Sequence, residues 1–448
     1  MKIMKETNEK VATTILDDYE NRPVPPEKCF GWYQQGAVWL GCGFCLAAFS
    51  LGGQLAEGLG FGKACIALLL GCVILTIMSA AIGAIGATTH LSSSVTSRFT
   101  FGIGGAKIFG LICAVSLFGW FGYQCSFFGQ SAVAVVKMAA GVSPNESVLT
   151  VIGGLAMMIT AIIGYRGIKM LSNFGVPMLF LLVIAAVIKT LTQVSFGDIV
   201  SSGPVGTSIT LGSGIVLVVG SFAVGASMIP DFSRYSKTVK DSNIGCFLGY
   251  GIGYFLIVFM GMIFTYAFSE NNFTNILINK LGFGYIAAFV LIVATWTTND
   301  NNLYQSVLGI SNAIDGVIKV PRVALTVVVG IISTAFGALG VVNIFVPFLC
   351  FLGVVIPPLA AVIIADYYFF NKNNYDYAKI DKQPSFCVNN CIAALIGILI
   401  GCTMNAAPYG FQVPFMMSLA TKIPSSLIAM SASIVACIVV NKVHPVKK

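Results

Sequence analysis

Long apolar segments separated by short polar ones run through most of this 448-residue chain. A helix needs about 20 apolar residues to cross a bilayer, and segments of about that length recur along the sequence. Their apolar runs are continuous rather than alternating, which predicts helices and excludes a membrane β-barrel. We predict about twelve spans, with eleven or thirteen as alternatives where segments are merged or short: 35–59, 65–88, 106–135, 148–163, 171–191, 208–230, 244–268, 284–308, 323–340, 342–365, 387–404 and 416–440.

Composition supports an all-α integral membrane protein. Hydrophobic residues make up 57% of the chain and charged residues 9%, with a mean hydropathy of +0.89. A soluble domain carries about 25% charged residues to cover its surface. The lipid bilayer is therefore the expected surrounding of this chain. The first 34 residues are polar and contain no apolar core of a signal peptide.

The basic residues are distributed unevenly between the two sides of the membrane. If the N-terminus lies inside the cell, 20 of the 25 lysines and arginines lie on the inner side. Basic loops mark the cytoplasmic side, so we expect both termini in the cytoplasm of a multi-pass protein of the plasma (cell inner) membrane. This topology accounts for the net charge of +8 without a nucleic-acid partner. Nothing in the sequence indicates an obligate protein partner.

The order of polar and apolar segments predicts five parts. Residues 1–34 form an N-terminal arm, 35–366 the core, 367–386 a cytoplasmic loop, 387–440 two further membrane helices, and 441–448 a tail. Both the arm and the loop are expected to be solvated.

Glycine is concentrated in spans one and six. Span one contains six glycines between positions 41 and 60, and span six contains Gly212, Gly214, Gly220 and Gly225 before it ends at Pro230. Glycine and proline weaken helices, and matching interrupted spans indicate a transporter site. Span six comes five spans after span one, and because five is odd, the second copy would cross the membrane in the opposite direction. This predicts repeats of spans 1–5 (35–191) and 6–10 (208–366). The alternative is that glycine is simply frequent in membrane helices.

Span eight contains an unusual polar cluster, ATWTTNDNNLY at 294–304. Polar groups at membrane depth are costly and usually mark a ligand or a pathway. Ala294, Thr297 and Thr298 share one helical face, and threonine hydroxyls with a backbone carbonyl are oxygen donors suited to a small cation. The alternative is hydrogen bonding between helices, a common use of threonine in membranes.

Two aromatic residues are candidates for binding a planar ligand. Trp120 in span three is flanked by Gly119 and Gly122, which would leave space beside its ring. Phe222 in span six follows Gly220 and Ser221, next to the expected interruption. Rings of this kind can hold a flat heterocycle while polar groups contact its edge. Core packing of both aromatics is the alternative.

Five segments together resemble the cytosine permease branch of the nucleobase:cation symporter-1 family. They are TTHLSSSVTSRFTFG (88–102), GWFG (119–122), VVGSF (218–222) continuing to PDFSRY (230–235), WTTNDNNLY (296–304) and IPPLAAVIIADYY (356–368). The resemblance covers about residues 25–440. It implies a LeuT-type five-plus-five inverted repeat with broken helices 1 and 6, a nucleobase-like substrate, and coupling to Na⁺ or H⁺ without an organic cofactor.

The resemblance also implies residue roles. Trp120 and Phe222 would stack on the base, Gly220 and Ser221 would contact its polar edge, and Asn299 would hydrogen-bond to it with Asp300 nearby. The implied Na⁺ ligands are the carbonyls of Gly41, Phe44 and Ala294 and the hydroxyls of Thr297 and Thr298.

Two positions depart from the cytosine permease pattern. Leu117 stands where those permeases have a glutamine that contacts the base edge, and Gln124 is a possible replacement one turn beyond Trp120. Ala294 replaces an asparagine, which preserves only a carbonyl ligand.

The expected function is therefore cation-coupled import of cytosine or a related pyrimidine or purine. A hydroxymethylpyrimidine, a hydantoin or an allantoin-like compound is the alternative substrate.

The sequence argues against other classes of membrane protein. An enzyme would need catalytic side chains at membrane depth, but His90 and His444 are the only histidines, and both lie away from the predicted midplane. A channel would need a continuous polar stripe, which is not evident. An ATP-driven pump would need a Walker motif, which is missing from the sequence. Glu57, Asp231 and Asp366 lie near span ends, where gating or snorkelling is as plausible as ligand binding.

Overall fold

The computed structural model describes residues 19, 22–43, 45–163, 165–314, 318, 320–340, 344–371, 373–404 and 413–444. These residues form helices and connecting segments, and no β-strand occurs among them. Each of the twelve predicted apolar segments contains a helix, which confirms the all-α prediction.

We number the helices after the predicted spans. The first is divided into α1a (Trp32–Gly43) and α1b (Leu46–Gly58), and the sixth into α6a (Leu211–Ser227) and α6b (Pro230–Ser233). The others are α2 (Phe61–Thr89), α3 (Ser93–Ala140), α4 (Glu146–Ile163), α5 (Tyr165–Gln193), α7 (Val239–Phe268), α8 (Gly284–Ile314), α9 (Arg322–Ala338), α10 (Phe345–Ala365), α11 (Val388–Thr403) and α12 (Ser425–Val443). Short helices lie at Pro26–Lys28, Phe196–Ser201, Phe273–Asn275, Tyr377–Lys382 and Pro414–Ala420.

Several of these helices have the length and composition of membrane spans. Among the described residues, 5 helices are long and apolar enough to cross a bilayer, and 5 further apolar helices have 10–17 residues. The number of crossings stays a prediction, because both criteria concern only length and composition.

Both expected interruptions are present. Between α1a and α1b, Cys45 is extended, with φ −126° and ψ 153°. Between α6a and α6b, Met228 leaves the helical conformation and Pro230 has no N–H to continue the hydrogen-bond ladder. The interruption in the sixth helix thus begins at Met228, more than one turn beyond Phe222. Gly220 and Ser221 lie inside a regular helix rather than at the break.

The packing pattern repeats when the first five helices are exchanged with the next five. α1b packs on α7, and correspondingly α6a packs on α2. α3 packs on α8 and α4 on α9, two pairs that the exchange leaves unchanged. One layer therefore contains α1, α2, α6 and α7, and the other contains α3, α4, α8 and α9. This is the symmetry that the inverted repeat predicts.

Close backbone contact joins α1b to α7. A side chain added at Gly52 would collide with the carbonyl of Val258, and one added at Gly261 would collide with the carbonyl of Phe49. Glycine at both positions lets the two helices touch through their backbones.

α3 begins before the predicted segment 106–135. Its first turns are also helical, and a kink separates them from the rest of the helix. Gly102 lies at the kink with φ 82°, in the left-handed region that favours glycine. The segment after α10 docks against this kink. Ile103 N donates to Pro384 O at 2.9 Å, and Cys387 N donates to Phe101 O at 2.9 Å. At this point the predicted loop 367–386 is attached to the bundle rather than free in solvent.

Asp366 lies at the end of α10, where it is 1% exposed. Its carboxylate accepts hydrogen bonds from Asn371 Nδ2 at 2.6 Å, Tyr375 OH at 2.9 Å and Asn390 Nδ2 at 3.0 Å. Asn390 also donates to Thr100 O of α3 at 2.7 Å. This network connects α3, α10 and α11, so Asp366 is a buried structural centre rather than a snorkelling carboxylate at a helix end.

Candidate functional site

Trp120 occupies the middle of α3 and is 9% exposed. Three rings meet it edge-on, those of Tyr123, Phe345 and Phe348, with centroids 5.7–5.9 Å away. Phe345 and Phe348 belong to the first turn of α10, so this part of α10 covers the tryptophan from one side. Tyr123 also stacks on Phe345 at 3.9 Å.

The glycines beside Trp120 make room for neighbouring helices. A Cβ at Gly119 would lie 2.9 Å from the Phe348 ring, and one at Gly122 would lie 2.7 Å from Ser333 O of α9. The space that the sequence predicts beside the tryptophan is therefore occupied by α10 on one side and α9 on the other.

Phe222 lies in α6a, where it is half-buried. Two tyrosines of α7 meet its ring edge-on, Tyr254 at 4.9 Å and Tyr250 at 5.5 Å. The Ser221 hydroxyl donates to Val218 O at 2.7 Å and is also in hydrogen-bond contact with Tyr254 OH. A side chain at Gly220 would collide with Leu349 O of α10. Trp120 and Phe222 have different ring partners and do not stack on each other.

Gln124 is buried one turn beyond Trp120, at 1% exposure. Its Oε1 atom has no hydrogen-bond partner among the described residues. A buried amide oxygen without a donor is unfavourable, so this atom is available to a polar guest. Leu117, one turn before Trp120, is 9% exposed and contributes only apolar surface.

The predicted cation face of α8 is formed by its own backbone and hydroxyls. Thr297 Oγ1 and Thr298 Oγ1 donate to Ala294 O at 3.0 and 3.1 Å. Thr297 lies against α5, where a Cβ at Gly175 would be 3.3 Å from its methyl group. The structure therefore brings these three residues together at one point of α8. Neither hydroxyl bonds to another helix within the described residues, whereas Trp296, Asn299 and Asp300 of the same polar cluster do bond to neighbouring helices.

The α1 residues of the predicted cation site are partly outside the described chain. Gly41 lies in the last turn of α1a, and Phe44 lies outside the described residues. One hydrogen bond joins the following helix to the aromatic cluster, between Ser50 Oγ of α1b and Tyr123 OH of α3, at 2.7 Å.

Asn299 and Asp300 lie on the sides of α8 that face α3 and α4. Asn299 is fully buried, and its Nδ2 donates to Phe121 O of α3 at 3.1 Å. Asp300 is also fully buried, and its Oδ1 accepts from Thr160 Oγ1 of α4 at 2.8 Å. Trp296 Nε1 donates to the same Thr160 oxygen at 2.8 Å. Both residues thus anchor α8 to its neighbours α3 and α4 within one layer.

Residues 22–31 of the N-terminal arm close one end of the bundle. Val24 N donates to His90 O at 3.0 Å, and Phe30 N donates to Tyr235 O at 2.8 Å. Lys237 N donates back to Phe30 O at 3.0 Å. The Phe30 and Tyr235 rings stack at 5.7 Å. We call this the arm end of the bundle. Here the chain before α1a is bonded to the end of α2 and to the turn after α6b.

Asp231 and His90 belong to the same closure. Asp231 Oδ1 accepts from Ser93 N at 2.8 Å, and His90 Nδ1 lies 2.8 Å from Arg234 O. Asp231 therefore has a positioning role at the arm end.

Sequence reasoning missed Trp39, Tyr250, Tyr254 and Thr160, all of which contact candidate site residues or their neighbours. One signal was available: Gly245, Gly249 and Gly253 repeat every four residues in α7. They face Gln35, Trp39 and Leu40 of α1a. Small residues at this spacing indicate a close helix pair.

Comparison with known proteins gives the family. The sequence model of the family described as "Permease for cytosine/purines, uracil, thiamine, allantoin" matches residues 23–424. The cytosine permease of Escherichia coli strain K12 is 30% identical over 385 residues, which are 86% of this chain and 89% of that protein. The allantoin permease of Bacillus subtilis strain 168 is 23% identical over 457 residues, covering 91% of this chain and 89% of that protein.

Solved structures share the fold. Mhp1, a nucleobase-cation-symport-1 family transporter in a closed conformation with bromovinylhydantoin bound, gives a TM-score of 0.75 at 18% identity, covering 95% of this chain and 96% of that chain. Its inward-facing conformation gives a TM-score of 0.77 at 20% identity, covering 95% and 94%. A Na⁺-coupled sialic acid symporter gives 0.62 at 12% identity, covering 96% and 92%. These matches confirm the LeuT-type fold.

The interrupted first and sixth helices, the repeated packing and the family match agree with one another. They confirm a transport protein with a membrane-embedded helical core and exclude the enzyme alternative. The chain belongs to the family of permeases for cytosine, purines, uracil, thiamine and allantoin.

Proposed function

We propose that this permease is a secondary active symporter that imports a nucleobase, either cytosine or a related pyrimidine or purine, together with Na⁺ or H⁺. The observation that carries the proposal is the position of Trp120, buried between α3 and α10 in a bundle with two interrupted helices, next to Tyr123, which bonds to α1b. Substrate and cation would bind together, and the two layers would then move relative to each other to expose the site alternately to each side.

The substrate would bind between Trp120 and Phe222. Two aromatic faces suit a planar base, and polar atoms nearby would contact its edge. The edge contacts would come from the Gln124 Oε1 atom, from the backbone at Gly220 and Ser221, and from Asn299. The bonds of Asp300 to α4 support a positioning role for this carboxylate, behind the residues that contact the substrate.

A second class of substrate is favoured by one residue. Leu117 offers no hydrogen bond where the cytosine permeases that this chain resembles have a glutamine. A site without that donor and acceptor suits another planar heterocycle, such as a hydroxymethylpyrimidine, a hydantoin or an allantoin-like compound. Names of relatives support both classes, since they include a cytosine permease and an allantoin permease.

The coupling cation would bind between α8 and the interruption in the first helix. Ala294 O, Thr297 Oγ1 and Thr298 Oγ1 already converge on one side of α8. The carbonyls of Gly41 and Phe44 would complete an all-oxygen site for Na⁺. A cation held by both helices would stabilise the arrangement that binds substrate, with a coupling free energy of about 1–3 kcal/mol.

The arm end is proposed to face the cytoplasm. It contains Arg22, Lys28, Arg234 and Lys237, as the inner side of a membrane protein requires. The protein would lie in the plasma (cell inner) membrane with both termini inside. Neither an organic cofactor nor an obligate protein partner is part of the proposal.

The function is tested with purified protein. Thermal shift is measured for cytosine, uracil, purines, a hydantoin and allantoin, each with Na⁺ and with choline. We expect one planar heterocycle to raise the melting temperature, and to raise it more in Na⁺. Uptake of that compound into proteoliposomes should require an inward Na⁺ or H⁺ gradient and collapse when an ionophore removes it. Uptake that continues without any ion gradient would contradict symport.

A further inference from the structure

The two halves of the sixth helix are not connected by continuous helical hydrogen bonds. Pro230 has no N–H, and Asp231 N bonds to Met228 O at 3.1 Å, three residues back. Phe222 lies before this interruption and Phe232 after it. A displacement of α6a at Phe222 therefore needs another route to reach α6b.

A chain of four aromatic rings bypasses the interruption. Phe222 of α6a meets Tyr250 of α7 with centroids 5.5 Å apart. Tyr250 meets Trp39 of α1a at 5.4 Å, and Trp39 meets Phe232 of α6b at 4.8 Å. Edge-on and tilted ring pairs at these separations are favourable contacts. The chain of rings leaves the sixth helix before the interruption and returns to it afterwards.

Tyr250 is confined on both sides. It is 1% exposed, and a Cβ at Gly225 would lie 3.1 Å from its hydroxyl. A Cβ at Gly249 would lie 2.6 Å from Trp39 Cβ, so the α7 backbone is in close contact with the Trp39 side chain. Gly249 and Tyr250 lie in the π-helical segment Phe247–Gly253, and π segments within α-helices are frequent at functional sites. The tyrosine ring is therefore packed between Phe222 and Trp39.

The last two rings of this chain belong to the closed arm end. Gln35 Nε2 of α1a donates to Phe232 O at 3.1 Å. Three residues beyond Phe232, Tyr235 receives the hydrogen bond and the stacked ring of Phe30. A shift of Trp39 would therefore act on the contacts between the arm and the turn after α6b.

We propose that Tyr250 is a positioning residue that couples occupancy of the substrate slot at Phe222 to the opening of the arm end. The inference rests on the proposed function, because it takes Phe222 as a substrate contact. A ligand shifts an equilibrium only through contacts that differ between the two states. The ring chain supplies such contacts, since stacking on Phe222 constrains Tyr250, which constrains Trp39 and Phe232.

Substitution of Tyr250 separates coupling from binding. Tyr250→Leu removes the ring, and we expect the maximal uptake rate to fall about tenfold while substrate Kd changes by less than about threefold. Tyr250→Phe keeps the ring and should retain uptake. Phe255→Leu is the matched control, because Phe255 lies on the same helix and stacks on Phe259 at 5.8 Å, outside the ring chain. It should leave both quantities unchanged.

A double substitution distinguishes a shared route from two independent defects. Trp39→Leu should also lower maximal uptake about tenfold. If both residues transmit one signal, Tyr250→Leu with Trp39→Leu should again give about tenfold, because the route is already broken. Two unrelated structural defects would multiply to about a hundredfold. That result would overturn the proposal.

Cys29 provides a direct readout at the arm end. Its thiol is buried, 3.6 Å from His90 Nδ1. Burial raises the pKa of this thiol, so alkylation is compared at one fixed pH. The rate of Cys29 alkylation by N-ethylmaleimide is followed by peptide mass spectrometry with and without the heterocycle found by thermal shift. We expect substrate to change this rate at least threefold in the unmodified protein and in Tyr250→Phe, but not in Tyr250→Leu.

The outcomes separate the two proposals. If no heterocycle stabilises the unmodified protein, the proposed function fails. If a heterocycle binds but does not change Cys29 alkylation, or changes it equally in Tyr250→Leu, the ring chain does not couple the two places and this inference is overturned.

Discussion

Neighbouring side chains of α8 contact different parts of the molecule although they share little more than one turn. Thr297 lies against Gly175 of α5, Asn299 bonds to the backbone of α3, and Asp300 bonds to Thr160 of α4. The sequence predicted the polar cluster and the shared face of Ala294, Thr297 and Thr298. It could not predict the separate partners of Asn299 and Asp300, because helical periodicity gives directions around a helix but not which neighbour lies in each direction.

Trp120 is the residue on which substrate affinity should depend most. Trp120→Ala removes one face of the proposed slot, and loss of stacking on a base costs about 1–3 kcal/mol, so Kd should rise at least fivefold. Binding is measured by scintillation proximity assay. Trp32→Ala is the control, since Trp32 is 49% exposed and should leave Kd unchanged. Equal affinities for Trp120→Ala and the unmodified protein would eliminate the sandwich.

Thr298 tests the cation site. Thr298→Ala removes one oxygen ligand, and the Na⁺ concentration for half-maximal uptake should rise roughly tenfold with normal expression. The matched control is Thr295→Ala, on the same helix, whose hydroxyl has no hydrogen-bond partner in the described part of the chain. Its Na⁺ dependence should match that of the unmodified protein. Unaltered Na⁺ dependence in Thr298→Ala would refute the assigned ligand set.

At the scale of elements, the glycine-rich segments predicted the interrupted helices correctly but not where the interruption falls. Gly220 lets α6a approach α10, whereas the interruption begins at Met228 and is completed by Pro230. Glycine serves both close packing and backbone freedom, and composition does not distinguish them. The ring chain through Tyr250 was missed for a similar reason: an aromatic residue in an apolar helix has the same pattern whether it packs or couples.

The kink of α3 depends on one backbone conformation. Gly102→Ala would place a Cβ in the left-handed region, where it would lie 2.6 Å from Pro384 O. We expect a loss of about 1–2 kcal/mol in the free energy of unfolding, seen as a lower melting temperature in detergent. Gly110→Ala on the same helix is the control, since a Cβ there meets nothing within 4 Å. Similar melting temperatures for the two variants would show that the kink is not strained by a side chain.

At the scale of the whole molecule, α11 and α12 are attached to the repeat rather than part of it. They pack on each other and on α10, and Asn390 Oδ1 of α11 accepts one hydrogen bond from Asn441 Nδ2 of α12 at 2.9 Å. Apolar periodicity predicted these two helices after position 387. It could not predict the buried network at Asp366, because two of its donors, Asn371 and Tyr375, come from a polar segment expected to be solvated.

Asp366 should therefore matter for stability more than for substrate affinity. Asp366→Ala leaves the donors on Asn371, Tyr375 and Asn390 without their acceptor, and each unsatisfied group costs about 1–3 kcal/mol. The melting temperature should fall, while the Kd of protein that remains folded should stay within about twofold. Asp381→Ala, at an exposed carboxylate, should change neither quantity. A large change in Kd without loss of stability would assign Asp366 to the site.

The polar turn of α8 has a consequence for how such a chain can vary. Each added or deleted residue rotates everything after it by about 100° around the helix axis. An insertion between Ala294 and Thr297 would at once separate the hydroxyls from their carbonyl, turn Asn299 away from α3 and move Asp300 off Thr160. Substitutions can alter these partners one at a time, but a change in length alters all of them together, so the spacing of this segment is constrained as tightly as its chemistry.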